Sequence, residues 1–167
     1  YPCNLAVLQA AHCVIVHSKY ARRLAYQWYG GSVGQNWAEV PLLRTAPSVT
    51  SENARQAIRA QLGYRVDQFI VCSFGFVAST KLSQKILEAW LQSPLAEDER
   101  CVLVFVGATD VSAYSDTLLS SIKRSKAKHR IHVTGWASAE LYHQYLAIAD
   151  LGVQLRAESR GETSAAV

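Results

Sequence analysis

The chain contains no methionine, only four prolines and four cysteines, and no uninterrupted apolar stretch of bilayer-spanning length. Each scarcity removes a class of protein. A membrane-crossing helix needs about twenty consecutive apolar residues, and none is present. The first residues, Tyr1-Pro2-Cys3-Asn4, lack the basic start and apolar run of a signal peptide, so the expectation is a soluble, intracellular, cytoplasmic protein. Cys3, Cys13, Cys72 and Cys101 show no close Cys-Cys or Cys-His spacing, which favours buried free thiols over a disulfide framework or a zinc site. No Gly-x-Gly-x-x-Gly follows any apolar run, which sets aside a nicotinamide dehydrogenase. The missing methionine, and a final Thr163-Ser164-Ala165-Ala166-Val167 that reads as a first helical turn, give the expectation of a fragment of a longer protein.

What is present is enough for a full core, with 167 residues at 50% hydrophobic content. The net charge of +4 is partly local, because Lys123, Arg124, Lys126, Lys128 and Arg130 fall within eight positions. A solvated helix end is the simplest reading of that cluster, with a peripheral contact to an anionic membrane surface as the alternative. Nucleic acid is disfavoured, since aromatics are not interleaved with the basic residues as on a stacking platform.

The apolar run from His12 to Val16 predicts a strand, and Ser18 then caps a helix that carries Tyr20, Leu24, Tyr26 and Trp28 until Gly30-Gly31 break it. An extended piece follows from Trp37 to Leu43, and the segment from Arg44 to Ser51 reads as a linker. We place one unit at 1–44 and a second at 45–167. The second opens with a helix from Ser51 to Leu62, which buries Ala54, Ile58 and Leu62 and ends at Gly63. From Phe69 the alternation is regular: strand 69–74, helix 81–91, strand 101–106, a helix around Leu118, Leu119 and Ile122, strand 130–134, helix 138–149 and strand 151–155. Continuous apolar strands separated by helices predict an α/β fold with a doubly wound, Rossmann-like parallel sheet.

In such a sheet the turns after the strands gather along one edge. They are Ser73-Phe74-Gly75 with Lys81, Phe105-Val106-Gly107, Val133-Thr134-Gly135-Trp136, and Arg156 through Ser164. Gly75 offers backbone free of side-chain bulk and Lys81 a cation, the means by which a diphosphate is held. In the last segment Glu158, Glu162, Arg156 and Arg160 converge on a helix start at Thr163-Ser164. A carboxylate there offsets the helix dipole, and it equally suits sugar hydroxyls. Together these turns point to a nucleotide-sugar site. Of the histidines, His132 lies within a strand pattern and reads as packed, and His17 closes a strand; none has the spacing of a zinc pair.

Phe74-Gly75-Phe76-x4-Lys81, Val104-Phe-Val-Gly107, Ile131-His-Val-Thr-Gly135-Trp136, Leu146-Ala-Ile-Ala-Asp150-Leu and Gly161-Glu-Thr-Ser164, in this order, resemble the carboxyl-terminal domain of the GT-B glycosyltransferases of the group 1 family. Cys13-Val-Ile-Val-His-Ser-Lys-Tyr-Ala21 and Val40-Pro41-Leu-Leu are similar to the end of that family's acceptor-side domain and the lead-in to its hinge. The resemblance implies transfer of a sugar from a UDP- or GDP-linked donor to a carbohydrate or lipid-linked acceptor, as in polysaccharide biosynthesis, with retention and without a required metal or other cofactor. It implies that Gly75 and Lys81 face the diphosphate, that Gly107, Gly135, Trp136 and Leu141 border the donor and its base, and that Thr163 and Ser164 offer amides to phosphate. Glu162 or Glu158 would be the first carboxylate of the family's Glu-x7-Glu pattern. Phe76 stands where the family commonly has Arg, so Arg156 or Arg160 would supply the second cation. The alternative is a non-catalytic nucleotide-binding or interaction domain of the same fold.

Overall fold

Side chains of a strand alternate between the two faces of a sheet, and strand β3 (Phe69–Phe74) is apolar on both. The computed structural model describes residues 5–31, 33, 36–42 and 50–157. These fall into two compact units, one holding the described residues up to 42 and one formed by residues 50–157.

In the first unit, β1 (Val14–Val16) pairs in parallel with β2 (Trp37–Glu39), and the connection between them contains helix α2 (Lys19–Tyr29). The Ser18 hydroxyl accepts the Ala21 amide at 3.2 Å, as an N-cap does, and Gly30 ends the helix with φ of 75°. Leu24 and Ala25 are the buried residues of α2. A short helix α1 (Leu5–Ala10) precedes β1, an element the sequence analysis did not anticipate. The linker expected from Arg44 to Ser51 lies mostly outside the described residues.

The second unit opens with helix α3 (Glu52–Gln61), whose N-cap Ser51 accepts the Ala54 amide. Its sheet has the order β5-β4-β3-β6, every pair parallel, with β4 at Cys101–Val106, β5 at Ile131–Val133 and β6 at Leu151–Gly152. The chain steps outward from β3 to β4 to β5 and then returns to the other side of β3. Val71, Leu103 and Phe105 pack against α4 (Ser83–Gln92) and α5 (Ala113–Arg124) through Ile86, Leu87, Trp90, Leu118 and Ile122. Ile70, Cys72, Val102 and Val104 point the opposite way, onto Ile58 of α3, Leu62 just after it, and Tyr145 and Ile148 of α6 (Ala139–Ile148). This is the doubly wound α/β sheet the strand and helix pattern predicts.

Arginines and an aspartate tie the lower rim. Asp150 accepts Arg59 at 2.7 Å, Arg55 at 2.5 Å and the Ile70 amide at 2.7 Å, while the Arg59 guanidinium, nearly fully buried, also donates to the carbonyls of Val66, Gln68 and Ile148. Asp150 is thereby a structural group at the start of β6. Arg130 is likewise structural: it donates to the carbonyls of Leu95, Ala96, Asp98 and Cys101, and its guanidinium lies over the Trp90 ring at 5.5 Å. That removes it from the solvated basic cluster, because a side chain bonded to four carbonyls is not available to a surface partner.

Three other expectations are corrected. Cys72 and Cys101 are buried as expected, and burial, followed by the charge of Asp150, pushes the Cys72 thiol up to about 12; Cys13, however, is exposed. His132 sits exposed on edge strand β5, with its ring edge-on to Tyr64 at 6.2 Å, and is not enclosed in the core. Strand β6 pairs over two residues only, shorter than the five expected, and Leu151 and Leu155 are exposed.

Candidate functional site

Strand order reverses between β3 and β6, and in open α/β sheets the crevice beyond the carboxyl ends of such strands is where ligands bind. The turn after β3 forms one wall. Gly75 has φ of 98°, a conformation that side-chain-bearing residues rarely adopt, and its amide donates to the Val106 carbonyl at 3.0 Å. The ladder then continues past the strands: the Val77 amide reaches the Ala108 carbonyl at 2.8 Å, and Val77 bridges Thr109. A Cβ placed on Gly107 would stand 2.0 Å from the Gly75 carbonyl oxygen, so the two turns meet at a spacing that only glycine permits. The third turn is joined by Thr134, whose Oγ1 accepts the Gly107 amide at 3.0 Å and donates to the Gly135 carbonyl at 2.9 Å. Gly75, Gly107 and Gly135 thus belong to one chain of contacting turns.

Lys81 lies in a single 3-10 turn, Ser79–Lys81, and not in α4 as the sequence analysis expected. Leu82 separates the two helical pieces with φ of 52°, in the left-handed region, and α4 begins at Ser83. The helix terminus is partly satisfied within the protein, since the Gln84 amide donates to the Tyr114 hydroxyl at 2.7 Å. The opposite wall is the segment after β6. Val153 donates its amide to the Cys72 carbonyl at 2.8 Å and Ala157 donates its own to Thr80 at 3.0 Å. That second bond draws the backbone next to Arg156 alongside the residue that precedes Lys81. Burial, with the nearby Arg156 charge adding to it, pulls the Lys81 ammonium below its ordinary value. The segments that carry Lys81 and Arg156 are therefore joined by a backbone bond, and the two charges are close enough to influence one another.

Phe76 is half exposed and Trp136 is 84% exposed on the turns of this edge, while Leu141 is partly buried in the core face shared with α6. Ser138 caps α6, its hydroxyl accepting the Leu141 amide at 3.2 Å. Glu158, Arg160, Glu162, Thr163 and Ser164 lie outside the described residues, as does the Gly161-Glu-Thr-Ser motif. Among the described residues no cluster of three or more histidine, cysteine, aspartate or glutamate side chains could hold a metal ion, and no helix is long and apolar enough to cross a membrane. His17 is exposed, with Nδ1 2.8 Å from the Val40 carbonyl oxygen. Tyr114 carries no sequence signal beyond an aromatic residue two positions after Ser112, the N-cap of α5.

No protein-family model and no curated protein sequence matches the chain. Solved structures do. Anabaena Alr3699/HepE in complex with UDP and glucose superposes with a TM-score of 0.73 at 20% identity, over 96% of this chain and 44% of that one. The chain has the fold of these glycosyltransferases. Sucrose-phosphate synthase of Thermosynechococcus elongatus matches with a TM-score of 0.67 at 21% identity, over 88% of this chain and 35% of that enzyme. The C-terminal domain of the glycosyl transferase group 1 family protein LpcC of Francisella tularensis matches with a TM-score of 0.53 at 19% identity, over 62% of this chain and 54% of that domain. The GT-B fold inferred from the turn motifs is thus the observed one, and the chain spans less than half the length of HepE and of the sucrose-phosphate synthase.

Proposed function

We propose that residues 45–167 are the donor half of a glycosyltransferase, binding the diphosphate of a UDP- or GDP-linked sugar over the crevice between β3 and β6. The observation that carries this reading is the bond from the Ala157 amide to the Thr80 carbonyl, because it joins the segment that carries Arg156 to the turn that carries Lys81. A lysine and an arginine carried on adjoining segments suit an anion with several oxygens. A pyrophosphate is such an anion. When the sugar-phosphate bond breaks, negative charge grows on the diphosphate leaving group, and Lys81 and Arg156 offset it. Phe76 and Trp136 offer exposed apolar surface to the base and ribose. Glu162 or Glu158 supplies the carboxylate for donor-sugar hydroxyls, and Arg160, Thr163 and Ser164 add a cation and amides.

On this reading residues 1–44 come from the acceptor side, the acceptor is a carbohydrate or a lipid-linked carbohydrate, and no metal or other cofactor is required. Lys123, Arg124, Lys126 and Lys128 are the residues for a peripheral membrane contact. The relatives HepE, crystallised with UDP and with UDP-glucose, support the choice of ligand class. Phe76, in the place of an expected cation, favours the second reading, a non-catalytic domain of the same fold.

Titration of UDP, GDP and ADP against the chain by calorimetry tests the proposal. UDP or GDP is expected to bind, and Lys81→Ala to weaken it by about tenfold or more, the loss typical of one charge-assisted hydrogen bond. Absence of binding by all three nucleotides would favour the interaction domain instead.

A further inference from the structure

A helix begins with amide hydrogens that its own turns leave without an acceptor, and the side chain of the N-cap ordinarily supplies an oxygen for one of them. At the start of α4 that position is Leu82, which has no such oxygen, and α4 has no side-chain cap of its own. Tyr114, in the first turn of α5 and thirty positions from Gln84, fills the role: its phenol oxygen accepts the Gln84 amide at 2.7 Å. Among the described residues Leu82 is also the only one other than glycine with a positive φ, 52°. Such a conformation persists where its surroundings over-determine it. Lys81 directly precedes it, and the Leu82 amide closes the Lys81 turn on the Ser79 carbonyl at 3.0 Å. A change of φ at Leu82 therefore re-aims the turn that carries Lys81 relative to α4.

We propose that Tyr114 is a positioning residue for Lys81: by capping α4 from the neighbouring helix it holds the left-handed turn at Leu82, and with it the place from which Lys81 meets the diphosphate. The proposal rests on the donor reading of the Lys81 turn. Tyr114 is itself well fixed. Ser112 caps α5 by accepting the Ser115 amide at 3.3 Å, and Asp110 Oδ1 accepts the hydroxyls of Ser112 at 2.6 Å and of buried Ser115 at 2.5 Å. The connections after β3 and β4 are also tied by backbone, through the Val77 amide on the Ala108 carbonyl and the Val77–Thr109 bridge. Lys81 lies between that tie and the one from Tyr114 to Gln84. A capping serine or aspartate at position 82 would satisfy the amide as well, but N-caps of that type take extended backbone. The phenol supplies the oxygen and leaves the left-handed turn in place.

The test is calorimetric titration of UDP against the parent chain, Tyr114→Phe, Lys81→Ala and the double variant, with GDP used throughout if the parent prefers it. Tyr114→Phe keeps the ring and removes the accepting oxygen. It is expected to weaken UDP about fivefold in the parent and less than about twofold in Lys81→Ala, because a lysine that is absent cannot be misplaced. Melting temperatures followed by circular dichroism give the second readout: loss of a helix cap should lower them by roughly 2–6 °C, equally in both backgrounds. A tyrosine that merely supports the fold would carry the same loss of affinity into Lys81→Ala. UDP affinity unmoved by Tyr114→Phe, or an equal loss in both backgrounds, overturns the proposal. A parent that binds neither UDP nor GDP refutes the donor reading and this inference with it, whereas a parent weakened by Lys81→Ala and indifferent to Tyr114→Phe refutes this inference alone.

Discussion

The Gly75 carbonyl oxygen occupies the space that a Cβ on Gly107 would need, at a separation of 2.0 Å. Backbone packed this closely fixes the relation of two site turns without using any side chain. Gly107→Ala is expected to force the turns apart and cost about 2 kcal/mol, the scale of an overpacked interior. Gly152→Ala, where a Cβ meets nothing within 4 Å, should stay within about 0.5 kcal/mol of the parent. Urea denaturation of the two variants checks this, and equal midpoints would refute the close-approach argument.

Asp150 ties three donors, and its side chain is 20% exposed. Burial acts to raise its carboxyl, but the Ile70 amide, the Arg55 hydrogen bond and the Arg59 charge and hydrogen bond together outweigh burial and hold the group below the ordinary carboxylate value. A lowered folded-state value contributes stability that is complete above the unfolded pKa, about 3.9, and that is lost as pH falls through the folded one. Asp150→Asn leaves Arg59 buried without its counter-charge and should cost about 3 kcal/mol at pH 7. The difference between variant and parent is expected to shrink when urea melts are repeated near pH 3. A constant difference at both pH values would show that the charge on Asp150 is not what stabilises the rim.

Arg130 and Lys128 are two residues apart in sequence and opposite in role. Arg130→Met gives up four carbonyl partners and the stacking on Trp90, and is expected to destabilise by about 3 kcal/mol. Lys128 is exposed, and Lys128→Ala should be neutral to within about 0.5 kcal/mol. Thermal melts followed by circular dichroism distinguish the pair; similar losses would contradict the structural assignment of Arg130.

Phe76 is half exposed on the turn that follows Gly75. If a diphosphate rests over this edge, Phe76→Arg adds a third cation and should tighten UDP by about fivefold to tenfold at low salt, with the gain shrinking as salt is added. Calorimetry at two salt concentrations reads it. Unchanged or weaker binding in Phe76→Arg would argue that the phosphates lie elsewhere.

Strands β3 and β4 were readable to the residue, because a run such as Cys101–Val106, apolar on both faces, has no other use in a chain of this composition. The edge strands were overestimated: among the described residues β5 and β6 pair on one side only, over three and two residues. The start of α4 was misplaced because Leu82 takes a left-handed conformation that leucine seldom adopts, and no pattern in the sequence signals it. Arg130 read as part of a solvated basic cluster; that it turns inward, as Arg59 does, depends on carbonyls supplied by other segments. The turns Gly75, Gly107 and Gly135 were identified from glycine position alone, whereas the approach of the segment carrying Arg156 to that carrying Lys81 needed the fold, the two residues being 75 positions apart.

Part of what holds that approach is short. Strand β6 is zipped to β3 over only two residues, and beyond it the Ala157 to Thr80 bond fastens the segment that carries Arg156. A shift of that segment would carry the Arg156 backbone with it, and the electric potential near Lys81 would change accordingly. Occupancy by a polyanion would in turn press the segment back into place, so the strength of the field and the tidiness of this short strap rise and fall together.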